Sequence, residues 1–279
     1  MKDVTITALV ICKNEAYTVF NSLASLESTV DKYLVLDNGS KDGTIEEILR
    51  AKNYLGLDLD LYIRPRMNFI DARNMLNDLV TTDWVIISDA DFIFQTNGPD
   101  NIEQIKPILA NTQSPTVYSV PLISLDGDFH HHAQPLMMNP PKYVYCKKHA
   151  KRFMLSRRFP KLLHTGDIKP LEFTPIYHLR GLKNDDKLFI RRHWTNWRVA
   201  EHPKYANFPT VESYIQSMFK DVDKAKAKFI DEYMKKLEKF EPNQVGSYYP
   251  ELVKLMMHNS KYKVLYDGDK IIGRDQRYE

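Results

Sequence analysis

Short apolar runs alternate with segments of helical apolar spacing over the first 125 residues. The β-branched, apolar run 5–12 predicts a first strand, and the apolar spacing over 16–26 predicts the helix that follows it. The same patterns predict strands over 33–36, 59–63, 84–87 and 117–123, and helices over 44–49, 70–80 and 102–109. Because strand and helix alternate strictly, we expect a mostly parallel, Rossmann-like sheet flanked by helices on both faces.

This alternation stops after residue 125. Residues 126–200 are rich in His, Arg, aromatic residues and Pro without a sustained period, which predicts long ordered loops and short strands. Helical spacing returns over 210–240, and residues 263–272 predict a hairpin with a glycine-bearing turn. We therefore expect an α/β protein in three parts: a sheet-based half over 1–125, loops over 126–200, and a helical C-terminal extension with a terminal hairpin over 201–279.

The composition is that of a soluble globular protein. Of 279 residues, 43% are hydrophobic and 27% charged, which excludes collagen-like, low-complexity and strongly disordered classes. The two cysteines, Cys12 and Cys146, make neither a disulfide framework nor a four-cysteine zinc site, and favour a reducing compartment. The longest apolar run, 8–12, is too short for a membrane span or a signal-peptide core. We expect a cytoplasmic protein without a transmembrane segment.

Two aspartates, Asp89 and Asp91, follow the strand predicted over 84–87. In sheets of this kind, ligands bind beyond the carboxyl ends of the strands. An extended Asp-x-Asp places both carboxylates on one side, where they hold a hard divalent ion together with phosphate oxygens and water. The same pair in a loop is also common as turn chemistry, but its place after a buried strand favours a metal site.

Two other side chains belong to the same edge of the predicted sheet. Asp37 ends the second strand and precedes Gly39, so that it either contacts a base or sugar hydroxyl or simply forms a strand-to-helix turn. Arg73 lies near the start of the helix before the aspartate pair. An arginine there either reaches a nucleotide base or phosphate or remains an exposed helix charge.

Taken together, four segments resemble the successive motifs of glycosyltransferase family 2. They are 9–15 (LVICKNE), 34–44 (LVLDNGSKDGT), 72–74 (ARN) and 87–91 (ISDAD), in the order and at the spacing of that family. The resemblance implies a GT-A fold, a nucleotide-sugar donor with a UDP-sugar as the first expectation, a divalent Mn²⁺ or Mg²⁺, and transfer with inversion at the anomeric carbon. It also implies that Lys13, Asp37 and Arg73 bind the nucleotide sugar, that Asp89 binds the ribose or the metal, and that Asp91 binds the metal directly.

A fainter similarity continues further along the chain. Residues 175–181 (PIYHLRG) are similar to the strand-then-His segment that closes the metal site in many family members, which implies His178 as a further metal ligand. A packed or solvated histidine is the alternative. Residues 157–159 and His164 resemble the family's Arg-x-Phe and His-Glu segments, but Thr165 stands where a Glu is often found.

The acceptor hydroxyl therefore needs another base to take its proton. The candidates are carboxylates within residues 126–200. We favour Asp167, two residues beyond the place of the missing Glu, and then Asp128; Asp126 and Glu172 are the others.

The net charge is only +3, but the basic residues are unevenly placed. Residues 142–161 contain eight Lys or Arg and no Asp or Glu, and a second basic stretch covers 180–198. Such a run is commonly a solvated face, but beside the predicted site it suggests an anionic acceptor. A phosphorylated or cell-surface glycan and DNA with a hydroxymethylated base both fit. The candidate acceptor-binding residues are Arg157, Arg158, Trp194 and Trp197, with packing against the protein body as the alternative for both tryptophans.

Consecutive histidines, His130 to His132, invite a metal-site interpretation. Adjacent residues do not readily converge on one ion, so we expect a solvated or acceptor-facing loop instead.

Two alternatives to a glycosyltransferase remain. One is a nucleic-acid-binding protein without transfer activity, which the Asp-x-Asp motif together with Asp37 and Arg73 disfavours. The other is a nucleotidyltransferase, which the lack of a glycine-rich phosphate loop after the first strand disfavours.

Overall fold

A computed structural model describes residues 3–133, 137–156, 159–173, 176–199, 208, 210–245, 249–260 and 262–275. Within these ranges, the side chains of 137–143, 155–156, 159–160, 194–199 and 245 are not described. The chain forms two compact units. The first contains Met1–Ile123, Met137–Leu179 and Pro242–His258, and the second contains Ser124–Leu136, Arg180–Glu241 and Asn259–Glu279.

Strands and helices alternate in the first half of the chain. The order is β1 (Ile6–Cys12), α1 (Val19–Ala24), β2 (Lys32–Asp37), α2 (Thr44–Leu55), β3 (Leu59–Ile63), α3 (Phe69–Asp78), β4 (Trp84–Asp89), β5 (Phe92–Phe94), α4 (Ile105–Ala110) and β6 (Thr116–Asp126). The α/β class and the predicted strands and helices of this half are confirmed. The short strand β5 was not predicted.

Further strands and helices follow before the terminal hairpin. In the described ranges these are β7 (His131–Ala133), β8 (Met137–Cys146), β9 (Ala150–Ser156), β10 (Phe159–His164), β11 (Asp167–Pro170), β12 (Ile176–Gly181), α5 (Asp185–Val199), α6 (Val211–Met218), α7 (Val222–Met234), β13 (Leu237–Lys239) and α8 (Glu251–His258). The predicted hairpin is β14 (Lys263–Asp267) and β15 (Lys270–Asp275), which pair antiparallel.

The main sheet has nine strands in the order β3-β2-β1-β4-β8-β6-β12-β5, with β11 beside β6. Strands β3, β2, β1 and β4 are parallel, so their carboxyl ends meet at one edge of the sheet. Strand β8 runs antiparallel to both β4 and β6, which therefore point in the same direction. Beyond β4 the sheet is mixed, because β8 is antiparallel to both of these neighbours whereas β11 pairs in parallel with β6.

Strand β1 shows why this sequence makes a central strand. All seven of its residues are buried, and successive side chains enter two different cores. Ile6, Ala8 and Val10 pack into the core that contains α1, whereas Leu9 and Ile11 pack into the core that contains α3 and the β9–β10 hairpin. Both faces are covered, as the continuous apolar run 5–12 requires.

Two predictions for the later chain were wrong. Residues 185–199 form the helix α5 rather than a loop; the part described with side chains buries Leu188 and Phe189 among many charged neighbours, so its apolar signal is weak. The segment 210–240, predicted as one helix, forms two. Helix α6 ends at Met218, and α7 begins at Val222 with the Asp221 side chain as its N-cap. The last residues of that segment lie beyond α7, with Leu237 in β13. No helix in the described ranges is long and apolar enough to cross a membrane.

Candidate active site

The loops after β1 and β2 are joined to each other by side chains. The Asn14 N–H donates to the Ser40 hydroxyl at 2.8 Å, and the Lys41 N–H donates to the Asn14 side-chain oxygen at 2.8 Å. Asn14 adopts a left-handed conformation with φ 57°, which a short polar side chain tolerates. Lys13 precedes it and is exposed at the carboxyl end of β1. These bonds fix the two loops that the family resemblance assigns to the nucleotide.

Asp37 is fully buried at the end of β2 and holds the turn that follows it. One carboxylate oxygen accepts hydrogen bonds from the N–H groups of Gly39 and Ser40, both at 2.9 Å, and the other accepts from the Ser40 hydroxyl. Gly39 has φ +85°, and a Cβ there would lie 3.1 Å from the Cβ of Pro65. The carboxylate therefore stabilises a turn that requires glycine.

Asn38 extends this arrangement to the loop before α3. Its side-chain amide donates to the Met67 carbonyl and accepts from the Met67 N–H, both at 2.9 Å. Asn38 is not among the site residues predicted from the sequence. The signal for it lies in the Asp-Asn-Gly-Ser turn itself, because Asn residues in turns commonly bond to backbone groups.

Arg73 on α3 is buried, with 1% of its surface exposed, so the alternative of an exposed helix charge is wrong. Its guanidinium donates to an Asp89 carboxylate oxygen at 2.6 Å and to the Leu9 carbonyl at 3.1 Å. Burial lowers the pKa of Arg73, and the Asp89 charge beside it acts in the opposite direction. The structure therefore brings Arg73 and the first aspartate of the Asp-x-Asp motif together as an ion pair.

Asp91 and His178 face each other between β5 and β12. Their residues are 4% and 8% exposed, and the Asp91 Oδ2 lies 3.4 Å from the His178 Nε2. Strand pairing places His178 opposite Phe92, and the Leu179 N–H donates to the Asp91 carbonyl at 2.8 Å. The Phe92 ring packs edge-on against the imidazole at 4.9 Å. The antiparallel β5–β12 pair thus unites two residues that are far apart in the sequence.

The chemistry of this pair fits a hard divalent ion. A carboxylate oxygen suits Mn²⁺ or Mg²⁺, and an imidazole nitrogen is a ligand of transition metals rather than of Mg²⁺, so the pair favours Mn²⁺. Substrate phosphates commonly supply other ligands when the protein provides only one or two carboxylates. The described part of the chain contains no set of three or more His, Cys, Asp or Glu side chains arranged for a metal. Of the three predicted metal ligands, Asp91 and His178 face each other, whereas Asp89 is engaged by Arg73.

The structure does not bring Asp167 to this edge of the sheet. Asp167 is exposed at the start of β11 and pairs with Thr116, the first residue of β6. Because β6 and β4 point in the same direction, the start of β6 lies at the opposite edge from Asp89. This placement argues against Asp167 as the base, because its strand begins at the edge of the sheet opposite Asp89.

Asp128 lies in the second unit, where its carboxylate is engaged in structural contacts. It accepts from His131 at 2.5 Å, from the His130 N–H at 2.8 Å and from the Val264 N–H at 2.9 Å. Burial acts to raise the pKa of Asp128, but these hydrogen bonds outweigh it and lower the pKa below its usual value. A carboxylate held in this way is a poor base, which argues against the assignment of Asp128.

Of the three consecutive histidines, only His130 is exposed. His131 and His132 are buried, and His131 bonds to Asp128 on one side and to the Tyr266 hydroxyl on the other. The prediction of an exposed loop was wrong for these two residues, because β7 pairs with β13 and is covered.

The predicted acceptor-binding residues are only partly visible. Arg157 and Arg158 lie outside the described residues, between β9 and β10. Trp194 and Trp197 belong to α5 in the second unit, and their side chains lie outside the description. The basic segment 142–161 does place four exposed cations on or just before the β9–β10 hairpin, namely Lys148, Lys151, Arg152 and Lys161.

These features define an α/β enzyme fold with its candidate site at the carboxyl edge of the parallel strands. The profile described as Glycosyl transferase family 2 matches residues 7–167, which is more than half of the chain. The chain belongs to glycosyltransferase family 2, and the GT-A fold that the resemblance implied is the fold of this family.

Curated relatives match the chain over part of its length. An uncharacterized glycosyltransferase of Rickettsia felis is 30% identical over 102 residues, 36% of this chain and 33% of the relative. One from Rickettsia conorii is 31% identical over 102 residues, with the same shares of each chain. The chain thus spans about a third of the length of the curated relatives that it matches.

Solved structures are similar at low sequence identity. The mannosyltransferase PcManGT from Pyrobaculum calidifontis, in complex with GDP-Man and Mn²⁺, has a TM-score of 0.47 at 12% identity and covers 93% of this chain and 80% of its own. The S. aureus TarS fragment in complex with UDP-GlcNAc has a TM-score of 0.46 at 12% identity, covering 83% and 81%.

Proposed function

We propose that this chain transfers a sugar from a nucleotide-sugar donor, with UDP-sugars the first to test, to a hydroxyl of an anionic acceptor, with inversion at the anomeric carbon. The observation that carries the proposal is the buried Asp91–His178 pair at 3.4 Å, in a chain that belongs to glycosyltransferase family 2. Its carboxylate and imidazole are ligand types that can hold a divalent transition-metal ion such as Mn²⁺, with a diphosphate supplying further oxygen ligands.

Asp91 and His178 would hold Mn²⁺ or Mg²⁺, with the metal neutralising negative charge on the leaving diphosphate. The chain's own residues prepare the site around them. Arg73 fixes Asp89 at the end of β4, so in the resting protein this carboxylate orients the Asp-x-Asp segment through an ion pair. We propose that Asp89 also contacts the ribose of the bound donor.

The nucleotide would bind along the loops after β1 and β2. Asp37 is assigned to holding the turn on which the base and ribose rest, because both of its oxygens bond to that turn. Lys13 is exposed beside it and suits a phosphate contact. We assign neither Asp167 nor Asp128 as the base, because the first lies at the opposite sheet edge and the second is held by His131.

The basic hairpin supports an anionic acceptor. Arg152 and Lys161 are exposed on one face of the hairpin, and neither forms an ion pair with a described residue. Lys148 and Lys151 are also exposed, but Lys148 follows Cys146, which pairs with Trp84 at the sheet edge opposite Asp89. Unpaired cations on one surface attract phosphate groups over a range set by the ionic strength. A phosphorylated glycan and a hydroxymethylated DNA base both fit this charge, and the cytoplasmic location expected from the sequence stays a prediction.

A donor-hydrolysis screen tests the reaction. UDP-, GDP- and TDP-sugars are incubated with Mn²⁺ or Mg²⁺, and release of the nucleoside diphosphate is measured for the wild type, Asp91→Asn and His178→Ala. Asp78→Asn is the matched control, because Asp78 is an exposed aspartate at the end of α3. We expect metal-dependent hydrolysis that falls by about 100-fold in the two site variants, since even outer-shell substitutions cost 10- to 100-fold. Metal-independent turnover, or an unchanged Asp91→Asn variant, contradicts the site assignment.

The nature of the acceptor is tested by binding. Affinity for duplex DNA is measured between low and moderate salt concentration, where phosphate contacts give a steep dependence. Negligible binding even at low salt removes DNA and leaves the phosphorylated glycan.

A further inference from the structure

We propose that Asn74 is a positioning residue that fixes the β9–β10 hairpin, with its basic surface, against α3. The proposal deepens the proposed function, on which it rests for the identity of the reaction. The contacts described below for the hairpin lie within the first unit.

The Asn74 side chain bonds to the backbone of β9 in both directions. The Phe153 N–H donates to the Asn74 Oδ1 at 2.6 Å, and the Asn74 Nδ2 donates to the Phe153 carbonyl at 3.1 Å. Strand β9 pairs with β10, where Phe153 lies opposite Leu162. Because both backbone groups of Phe153 bond to Asn74, one amide side chain takes the place of a neighbouring strand at this edge.

The hairpin is anchored at the same point by packing. Phe153 is 2% exposed and Leu162 is 1% exposed, and both belong to the core that contains α3. The ring of Tyr145 packs edge-on against Phe153 at 6.2 Å, and the Tyr145 hydroxyl donates to the Asn77 side-chain oxygen at 2.8 Å. Packing keeps the hairpin on the helix, and the two directional bonds of Asn74 set its register along α3.

The exposed side of the hairpin carries charge. Arg152 is opposite Leu163 and Lys161 is opposite Met154, so that Arg152 and Lys161 are diagonal neighbours across the two strands. Both are exposed, and neither forms an ion pair with a described residue. A shift of β9 along α3 would therefore move these cations relative to the rest of the first unit.

The neighbouring residue on α3 makes a contact of a different kind. Arg73 bonds to Asp89 at the end of β4, whereas Asn74 bonds to Phe153 on the hairpin. One turn of helix thus holds both the Asp-x-Asp segment and the basic hairpin. We infer that loss of the Asn74 contacts weakens binding of an anionic acceptor more than it changes use of the donor.

The first test measures the hairpin without any assumption about activity. Hydrogen exchange of residues 150–156 and the rate of trypsin cleavage at Lys151 and Arg152 are compared for the wild type, Asn74→Ala and Asn74→Asp. We expect about 10-fold faster exchange in Asn74→Ala, because the Phe153 N–H loses its acceptor. Asn74→Asp keeps that acceptor but cannot donate to the Phe153 carbonyl, so an intermediate rate is expected.

Asn38→Ala is the matched control for this measurement. It removes the same two side-chain-to-backbone bonds, but from Met67 rather than Phe153. Hairpin exchange should stay at the wild-type rate in Asn38→Ala. Unchanged exchange in Asn74→Ala, or equal acceleration in both alanine variants, overturns the positioning role.

The second test links the hairpin to the acceptor side. Affinity for inorganic polyphosphate, used as a polyanion probe, and the KM for the nucleotide sugar are measured for the same variants. We expect polyphosphate binding to weaken by about 3- to 10-fold in Asn74→Ala, with a smaller salt dependence, and the donor KM to change less. A larger change in donor KM than in polyphosphate affinity overturns the inference. If the wild type hydrolyses no donor, the proposed function fails, while hydrogen exchange and polyphosphate binding still decide the role of Asn74.

Discussion

Removing one partner of the Arg73–Asp89 ion pair should destabilise the protein by an amount that depends on which partner is removed. The two side chains are joined at 2.6 Å, but the Arg73 side chain is only 2% exposed whereas that of Asp89 is 25% exposed. Asp89→Ala leaves a guanidinium buried without its counter-charge. Arg73→Met keeps most of the apolar stem and leaves a carboxylate that water can reach.

The expected magnitudes follow from that difference in burial. Breaking a buried pair by removing one partner costs about 3–5 kcal/mol, and Asp89→Ala should fall in this range because the remaining bond of Arg73 to the Leu9 carbonyl does not neutralise its charge. Arg73→Met should cost about 1–3 kcal/mol, since the polar groups that it leaves are partly solvated. The double variant removes both charges and should cost less than the sum of the single variants.

Urea unfolding followed by circular dichroism gives the three free energies of unfolding, and a double-mutant cycle gives the coupling. If the two units unfold in separate transitions, the free energies are taken from the transition of the first unit, which contains Arg73 and Asp89. The reasoning is refuted if Arg73→Met costs as much as Asp89→Ala. It is also refuted if the two single effects add within about 0.5 kcal/mol, the agreement expected of independent sites.

Other substitutions test the remaining assignments. Asp128→Asn should destabilise the protein most near neutral pH. The folded-state pKa of Asp128 lies below the unfolded value of about 3.9, so the ionised carboxylate contributes to folding stability above that value. This contribution is lost as the pH falls through the folded-state pKa. A stability difference between the wild type and Asp128→Asn that stays constant down to pH 2 contradicts this. Gly166→Ala should cost about 2 kcal/mol or more in thermal denaturation, because φ is +124° and the added Cβ falls on the Pro115 carbonyl. Gly268→Ala, with φ +57° and open space, should cost only about 1–2 kcal/mol, and equal losses would show that the Pro115 contact does not matter. Asp167→Asn should leave donor hydrolysis at the wild-type rate, and a loss of 10-fold or more would restore Asp167 as a candidate base.

The sequence predicts the first half of this fold well because its signals are local. Strands β1, β2 and β4 each contain an apolar run bounded by polar residues, β3 carries apolar residues on both sides of Asp60, and β1 sends alternate side chains into two cores. The order of motifs along the chain also locates the strand ends. The positions of Asp37, Asp89 and Asp91 at or just after those ends follow from this pattern alone.

The rest depends on contacts that no local pattern encodes. Asp167 was favoured as the base for its distance from His164 along the chain, but the register of β11 on β6 places it at the far edge of the sheet. His131 bonds to Asp128 nearby and to Tyr266 in the terminal hairpin, so its burial depends on a partner that only the fold brings close. Spacing in the sequence gives no information about either pairing.

The segment Ala72-Arg73-Asn74 shows how one short motif encodes two unrelated contacts. Consecutive residues of an α-helix point about 100° apart, so Arg73 and Asn74 necessarily face different neighbours. One direction leads to Asp89 in the Asp-x-Asp segment, and the other leads to Phe153 on the hairpin. The two residues belong to one sequence motif. In the structure, Arg73 makes an ionic contact with the Asp-x-Asp segment, whereas Asn74 makes an amide contact with the basic hairpin. Substitutions at Arg73 and Asn74 should therefore have separable effects, even though the residues are adjacent.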